Sequence, residues 1–137
     1  LESSLELEKH CALVLDIHHH WVRTGEYIQA NDDRVKRVID SWRGVRPTMH
    51  YSYSRDEWLS PAYPDGNMHE GIHDMQTLLD KGCKKQKLRA HSDMLPNRAV
   101  NEWALTFLPN LDIQVEAKAK NLAAEQLHTQ AQELDLV

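Results

Sequence analysis

Two carboxylates and several imidazoles stand at the ends of short apolar runs in this chain, a placement suited to divalent-cation chemistry. Leu13-Val14-Leu15-Asp16-Ile17-His18-His19-His20 passes from an apolar run straight into a carboxylate and three imidazoles. His50 stands in Thr48-Met49-His50-Tyr51-Ser52, His91 follows Arg89-Ala90, and Glu116 follows Leu111-Asp112-Ile113-Gln114-Val115. Apolar runs too short for a helix and flanked by polar residues read as buried parallel strands. In α/β barrels the C-terminal tips of such strands carry the chemistry. Parallel neighbours lie roughly 4.8 Å apart, so ligands at successive tips converge. Carboxylate plus imidazole without thiolate suits Mn²⁺, Zn²⁺ or Mg²⁺ better than a Cys-rich structural zinc site. Clustered divalent ions of this kind hydrolyse phosphodiesters. The candidate ligands are Asp16, His50 and Glu116 at three tips, His19 one turn beyond Asp16, and His91. His18 and His20 point elsewhere by alternation and are read as supporting or structural. A single histidine at a strand end is usually an ordinary hydrogen-bonded side chain; recurrence at three tips is what argues for a site.

A rival motif is His69-Glu70-Gly71-Ile72-His73, which matches the H-E-x-x-H pattern of zinc hydrolases. Two imidazoles at i and i+4 on a helix can chelate Zn²⁺ while the glutamate polarises water. Gly71 weakens that helix, Asp74 puts charge where it is usually apolar, and no clear third ligand follows.

The elements that must carry these groups alternate. Ser3 or Ser4 can cap a short first helix ending near His10, and residues 11–17 form a first strand. Residues 18–30 read as a polar loop. Asn31 or Asp32 caps a helix whose Val35, Val38, Ile39 and Trp42 form one apolar stripe, stopped at Gly44. Residues 48–52 are a second strand. Residues 54–68, with Pro61, Pro64 and Asp65-Gly66, read as a long surface loop. A helix is expected over 69–81, ending at Gly82, and another over 97–107. Residues 111–115 are the third strand, and 117–134 the last helix. Strand–helix alternation implies a parallel sheet with right-handed crossovers. The expected fold class is α/β, about three parallel strands of an incomplete (β/α)₈ barrel, because a closed barrel takes about 250 residues.

The chain has 137 residues, 41% of them hydrophobic and 27% charged, which suits one domain spanning 1–137. It opens at Leu1 within an expected helix, as a piece of a longer protein would. No apolar run approaches the roughly 20 residues of a membrane span. Two cysteines, Cys11 and Cys83, make no disulfide scaffold and suit a reducing, cytoplasmic setting. A net charge of −5 argues mildly against broad phosphate-backbone binding by this chain alone. The basic run Lys84-Lys85-Gln86-Lys87-Leu88-Arg89 could meet phosphates, but reads first as a solvated loop.

Four ordered motifs carry a specific resemblance: Val14–His20, Arg46–Ser52, Arg89–Asp93 and Asp112–Ala123. Together they resemble the C-terminal part of the UV damage endonuclease family, UvdE type. That family has a TIM barrel and nicks double-stranded DNA 5′ to UV photoproducts, using clustered divalent metals, typically manganese. The similarity spans nearly the whole chain except about 54–87, which looks like an insertion. By this resemblance Asp16, His19, His50, His91 and Glu116 would ligate metal. Ser52 and Arg55, following the His50 strand, are candidates for touching phosphate. So is Lys118, whose plainer reading is a helix-surface lysine. The family's usual lysine, reported as carboxylated, is replaced by Thr48, which cannot form a carbamate. Its upstream ligands and lesion-probing residues belong to strands outside this sequence. The expected chain is therefore inactive alone, with exposed strand edges that invite self-association. The alternative is a non-catalytic metal-binding or oligomerising module.

Overall fold

Alternating residue types along three short strands give this sheet two unlike faces. A computed structural model describes all of residues 1–137. Strands β1 (Leu15–Asp16), β2 (Thr48–Tyr51) and β3 (Asp112–Val115) are parallel and adjacent in chain order. The register aligns Leu15 with Met49 and Ile113, and Asp16 with His50 and Gln114. Registered residues in a parallel sheet point the same way. Leu15, Met49 and Tyr51 are buried, and Ile113 and Val115 pack against the same core. Asp16, Thr48, His50, Asp112 and Gln114 share the opposite face and are half-buried or exposed. One face is covered by helices and the other is not.

The helices are α1 (Glu2–Leu5), α2 (Ile17–Thr24), α3 (Asp33–Asp40), α4 (Asp56–Leu59), α5 (Met75–Asp80), α6 (Arg98–Leu105) and α7 (Asn121–Glu133). They contribute to one cluster of 28 buried apolar residues, with Leu5, Ile17, Val35, Leu59, Leu78, Ala104 and Leu127 from successive helices. A sheet clad on one side, with α3 crossing from β1 to β2 and α6 leading into β3, is a section of an α/β barrel wall. β1 and β3 each have one strand neighbour, so each leaves an unpaired edge.

Several elements differ from the sequence expectation. The first strand is two residues long rather than spanning 11–17. Side chains replace ladder bonds upstream: the Leu13 amide donates to Ser41 Oγ at 2.9 Å, and Trp42 Nε1 donates to the Leu13 carbonyl at 2.7 Å. The expected loop at 18–30 begins instead as helix α2. Its buried Ile17, His18, Trp21 and Val22 form a packed stripe in which a histidine takes a core position. Gly25, at φ +78°, ends that helix in the left-handed region. The first helix has no Ser cap; Leu1 occupies the position before it. The expected 69–81 helix shrinks to 75–80, because Asp74 caps its start by accepting from the Thr77 amide at 3.0 Å. Residues 54–68 hold α4 and a 3₁₀ turn at Ser60–Ala62, and 117–120 form a turn before α7.

Candidate metal centre

The strand register explains how distant ligands meet. Asp16 and His50 are direct neighbours across β1 and β2. Glu116 lies two residues past Gln114, the neighbour of His50, and its amide extends the ladder by donating to the Tyr51 carbonyl at 2.8 Å. One ligand atom from each of Asp16, His50 and Glu116 lies within 4.8 Å of the other two. His50 Nδ1 is 3.0 Å from Glu116 Oε1. All three are half-buried, open enough to exchange an ion and shielded enough to strengthen its binding. Two carboxylates facing one imidazole carry more negative charge than the imidazole offsets. The oxygen- and nitrogen-rich donor set fits Mn²⁺, Zn²⁺ or Mg²⁺. Asp16 is held in place by a second duty: its Oδ1 caps α2, accepting from the His19 amide at 2.8 Å.

His91 reaches the same rim by a bracketed excursion. The Arg55 amide donates to the Ala90 carbonyl at 3.2 Å, and the Ser92 amide to the Tyr53 carbonyl at 2.7 Å. Ser54 and His91 form an antiparallel bridge between them. The chain thus leaves after residue 55 and returns at residue 90 beside its own departure point. His91 then lies in one shallow depression with Glu116 and Lys118. His19, on the first turn of α2, is exposed beside the triad rather than within it.

His18 is the packed support behind this rim. Ser54 Oγ donates to the Leu88 carbonyl at 2.7 Å, so it accepts from His18 Nε2 at 3.0 Å. His18 Nδ1 is left to accept from the Ser52 hydroxyl at 2.9 Å. Burial, with the charges of His91 and His19 adding to it, lowers the His18 pKa to about 3. It therefore serves as a neutral tie between α2, β2 and the returning segment.

Other sequence candidates are placed differently. Ser52 is 1% exposed and bonded to His18, so its hydroxyl has no surface for a phosphate. Arg55 is held by Glu57 at 2.6 Å and Asp93 at 3.0 Å. Lys118 is exposed, and its amide donates to the Ser92 carbonyl at 3.0 Å. The His69–His73 stretch is not helical; Gly71 sits at φ +152°, so the i, i+4 chelate does not form. The Tyr53 hydroxyl lies 2.6 Å from His73 Nε2 and 3.1 Å from His69 Nδ1, and Tyr63 engages His73 Nδ1. Both nitrogens of His73 are taken. Sequence reading missed Tyr53 and Asn97, whose side chains organise this strip; the Tyr-Ser alternation of 51–54 was the available signal.

A family model described as UV-endonuclease UvdE matches residues 4–137. No curated protein and no solved structure matches the chain. The one-sided parallel sheet agrees with the TIM barrel of that family. With nearly its whole length matched, and its strand tips bearing Asp16, His50 and Glu116, the chain belongs to the UV-endonuclease UvdE family.

Proposed function

We propose that this chain forms part of the cation-binding rim of a divalent-metal-dependent DNA repair endonuclease that nicks double-stranded DNA 5′ to UV photoproducts. The observation that carries the reading is the convergence of Asp16, His50 and Glu116 within 4.8 Å at three neighbouring strand tips. These residues would hold Mn²⁺, or alternatively Zn²⁺ or Mg²⁺, with His19 and His91 at the margin. A divalent cation supplies Lewis acidity toward a phosphodiester and makes water a better nucleophile. The chain's own contribution is to fix the ligands. The α2 amide orients Asp16, Glu116 orients His50, and neutral His18 buttresses both neighbouring segments. Three strands of a barrel wall hold only part of such a centre, so the chain alone is inactive. A cytoplasmic setting belongs to the same reading.

Titration calorimetry with Mn²⁺ tests the rim. Glu116→Ala should weaken binding by at least about tenfold, since even groups behind metal ligands are worth that much. Unchanged affinity in that variant, or no binding by the unsubstituted chain, ends the proposal. A nicking assay on UV-irradiated plasmid tests the inactivity: robust Mn²⁺-dependent nicking by this chain refutes it. A second reading, a non-catalytic metal-binding or oligomerising module, draws on Thr48, which lies on the His50 face two residues earlier, and on the unpaired edges of β1 and β3. Sedimentation showing stable dimers, with no nicking by a complete barrel carrying this sequence, favours it.

A further inference from the structure

A groove beside the rim is lined by His19, Arg23, Lys85, Gln86 and Arg89, with a volume of about 390 Å³. It forms where the C-terminal turn of α2 meets the basic run that ends the 56–89 excursion. Between residues 81 and 92 the sequence holds Lys81, Lys84, Lys85, Lys87 and Arg89 and no acidic residue. The chain is acidic overall, so this concentration of cations is local.

Most arginines here are neutralised. Arg34, Arg37, Arg46, Arg55 and Arg98 each pair with a carboxylate. Lys87 lies over the Trp58 ring, 5.0 Å from its centroid. Lys85 Nζ donates to the Arg23 carbonyl at 2.7 Å, which suits a cation at a helix C-terminus. That bond uses one of three ammonium donors and leaves two free. Arg23, Lys85 and Arg89 are exposed, and none of them makes an ion pair.

The groove is built rather than incidental. Leu88, between Lys87 and Arg89, is fully buried, and its carbonyl accepts from Ser54 at 2.7 Å. Ser54 is itself bonded to His18 on α2. The tie that supports the rim therefore also fixes the basic run against α2. Arg89 lines the shallow depression holding His91, Glu116 and Lys118 as well, so positive charge continues past the strand tips.

We propose that Arg23, Lys85 and Arg89 form a track for the phosphodiester backbone of duplex DNA, leading it across the cation-binding rim. The choice of ligand rests on the endonuclease reading; the unpaired cations do not. Phosphate contacts of this kind position a duplex without reading its sequence. The track should therefore hold undamaged DNA too.

The test is fluorescence anisotropy of the full chain with a short labelled duplex free of lesions, in EDTA, over a range of salt concentrations. The variant Arg23→Gln/Lys85→Gln/Arg89→Gln should weaken binding about tenfold or more at low salt. It should also flatten the slope of log K against log salt by about 2.7, from three phosphate contacts at ~0.9 each. A control, Lys9→Gln/Lys36→Gln/Arg43→Gln, removes equal charge outside the groove and should have much less effect. Equal losses from the two variants, an unchanged slope in the first, or no duplex binding by the unsubstituted chain overturns the proposal. Circular dichroism melts establish that each variant is folded; if the triple variant is not, Arg89→Gln alone should flatten the slope by about 0.9. Mn²⁺ calorimetry separates this result from the rim. Retained cation binding with lost duplex binding supports the track, whereas absent cation binding with a flattened slope sinks only the rim.

Discussion

Removing one oxygen atom, by Tyr53→Phe, should destabilise this chain more than removal of any exposed hydroxyl. Tyr53 is 3% exposed, and its hydroxyl lies 2.6 Å from His73 Nε2 and 3.1 Å from His69 Nδ1. It also accepts from Asn97 Nδ2 at 3.1 Å and donates to the Met68 carbonyl at 3.2 Å. Asn97 keeps a second partner, because the same amide donates to the Gly71 carbonyl at 2.7 Å. His73, at 3% exposure, has no replacement on that side. A buried polar group stripped of its partner costs about 1–3 kcal/mol, and each ordinary bond about 1 kcal/mol net. A hydroxyl makes at most three bonds, so one orphaned nitrogen plus two further lost bonds gives about 3–5 kcal/mol. Tyr63→Phe removes only the other His73 bond from a half-exposed ring and should cost about 1 kcal/mol. Urea unfolding followed by circular dichroism measures both, with an unchanged m-value showing that the folded state is intact. A Tyr53→Phe cost no larger than that of Tyr63→Phe would refute the network as the clamp on residues 68–73.

Acidification should weaken the fold before the carboxylates titrate. Burial first, then the neighbouring His69 charge, lowers the His73 pKa from 6.5 to about 4. The unfolded chain therefore binds the extra proton first, and stability falls as pH drops from about 6.5 to about 4, by up to ~1.4 kcal/mol per pH unit. Above that window the contribution is fully present. Urea midpoints that stay level from pH 7 to about 4 contradict it. Gly25→Ala should cost about 1–2 kcal/mol, since φ is +78° and a new Cβ would meet Met75 Cβ at 3.2 Å. A melting temperature equal to that of the unsubstituted chain would show that α2 can end without a left-handed glycine.

The parallel strands and the meeting of Asp16, His50 and Glu116 were legible in sequence because both follow from short-range pattern. Apolar runs specify strands, and a ligand type at each tip needs only sequential adjacency to converge. The triple histidine was not legible as a helix. His18 is polar by type, yet Ser52 and Ser54 satisfy both its nitrogens in the interior, and no local rule announces partners more than thirty residues away. The 69–81 stretch misled in the opposite way. Ile72, Met75 and Leu78 have helical spacing, but Ile72 is 55% exposed and the turn starts only at the Asp74 cap. An aspartate just before the apolar residues was the better signal. Ser52 looked available for phosphate because sequence shows that a hydroxyl is present and not which way it faces.

The bare face of the sheet has one further implication. Barrel interiors are ordinarily filled by branched aliphatic side chains. Here the same positions carry Asp16, Thr48, His50, Asp112 and Gln114. Such a surface has little to gain from contact with oil and much to lose by drying out. Whatever lies against it must supply polar side chains, water or ions as partners, because an apolar filling would leave these groups unsatisfied.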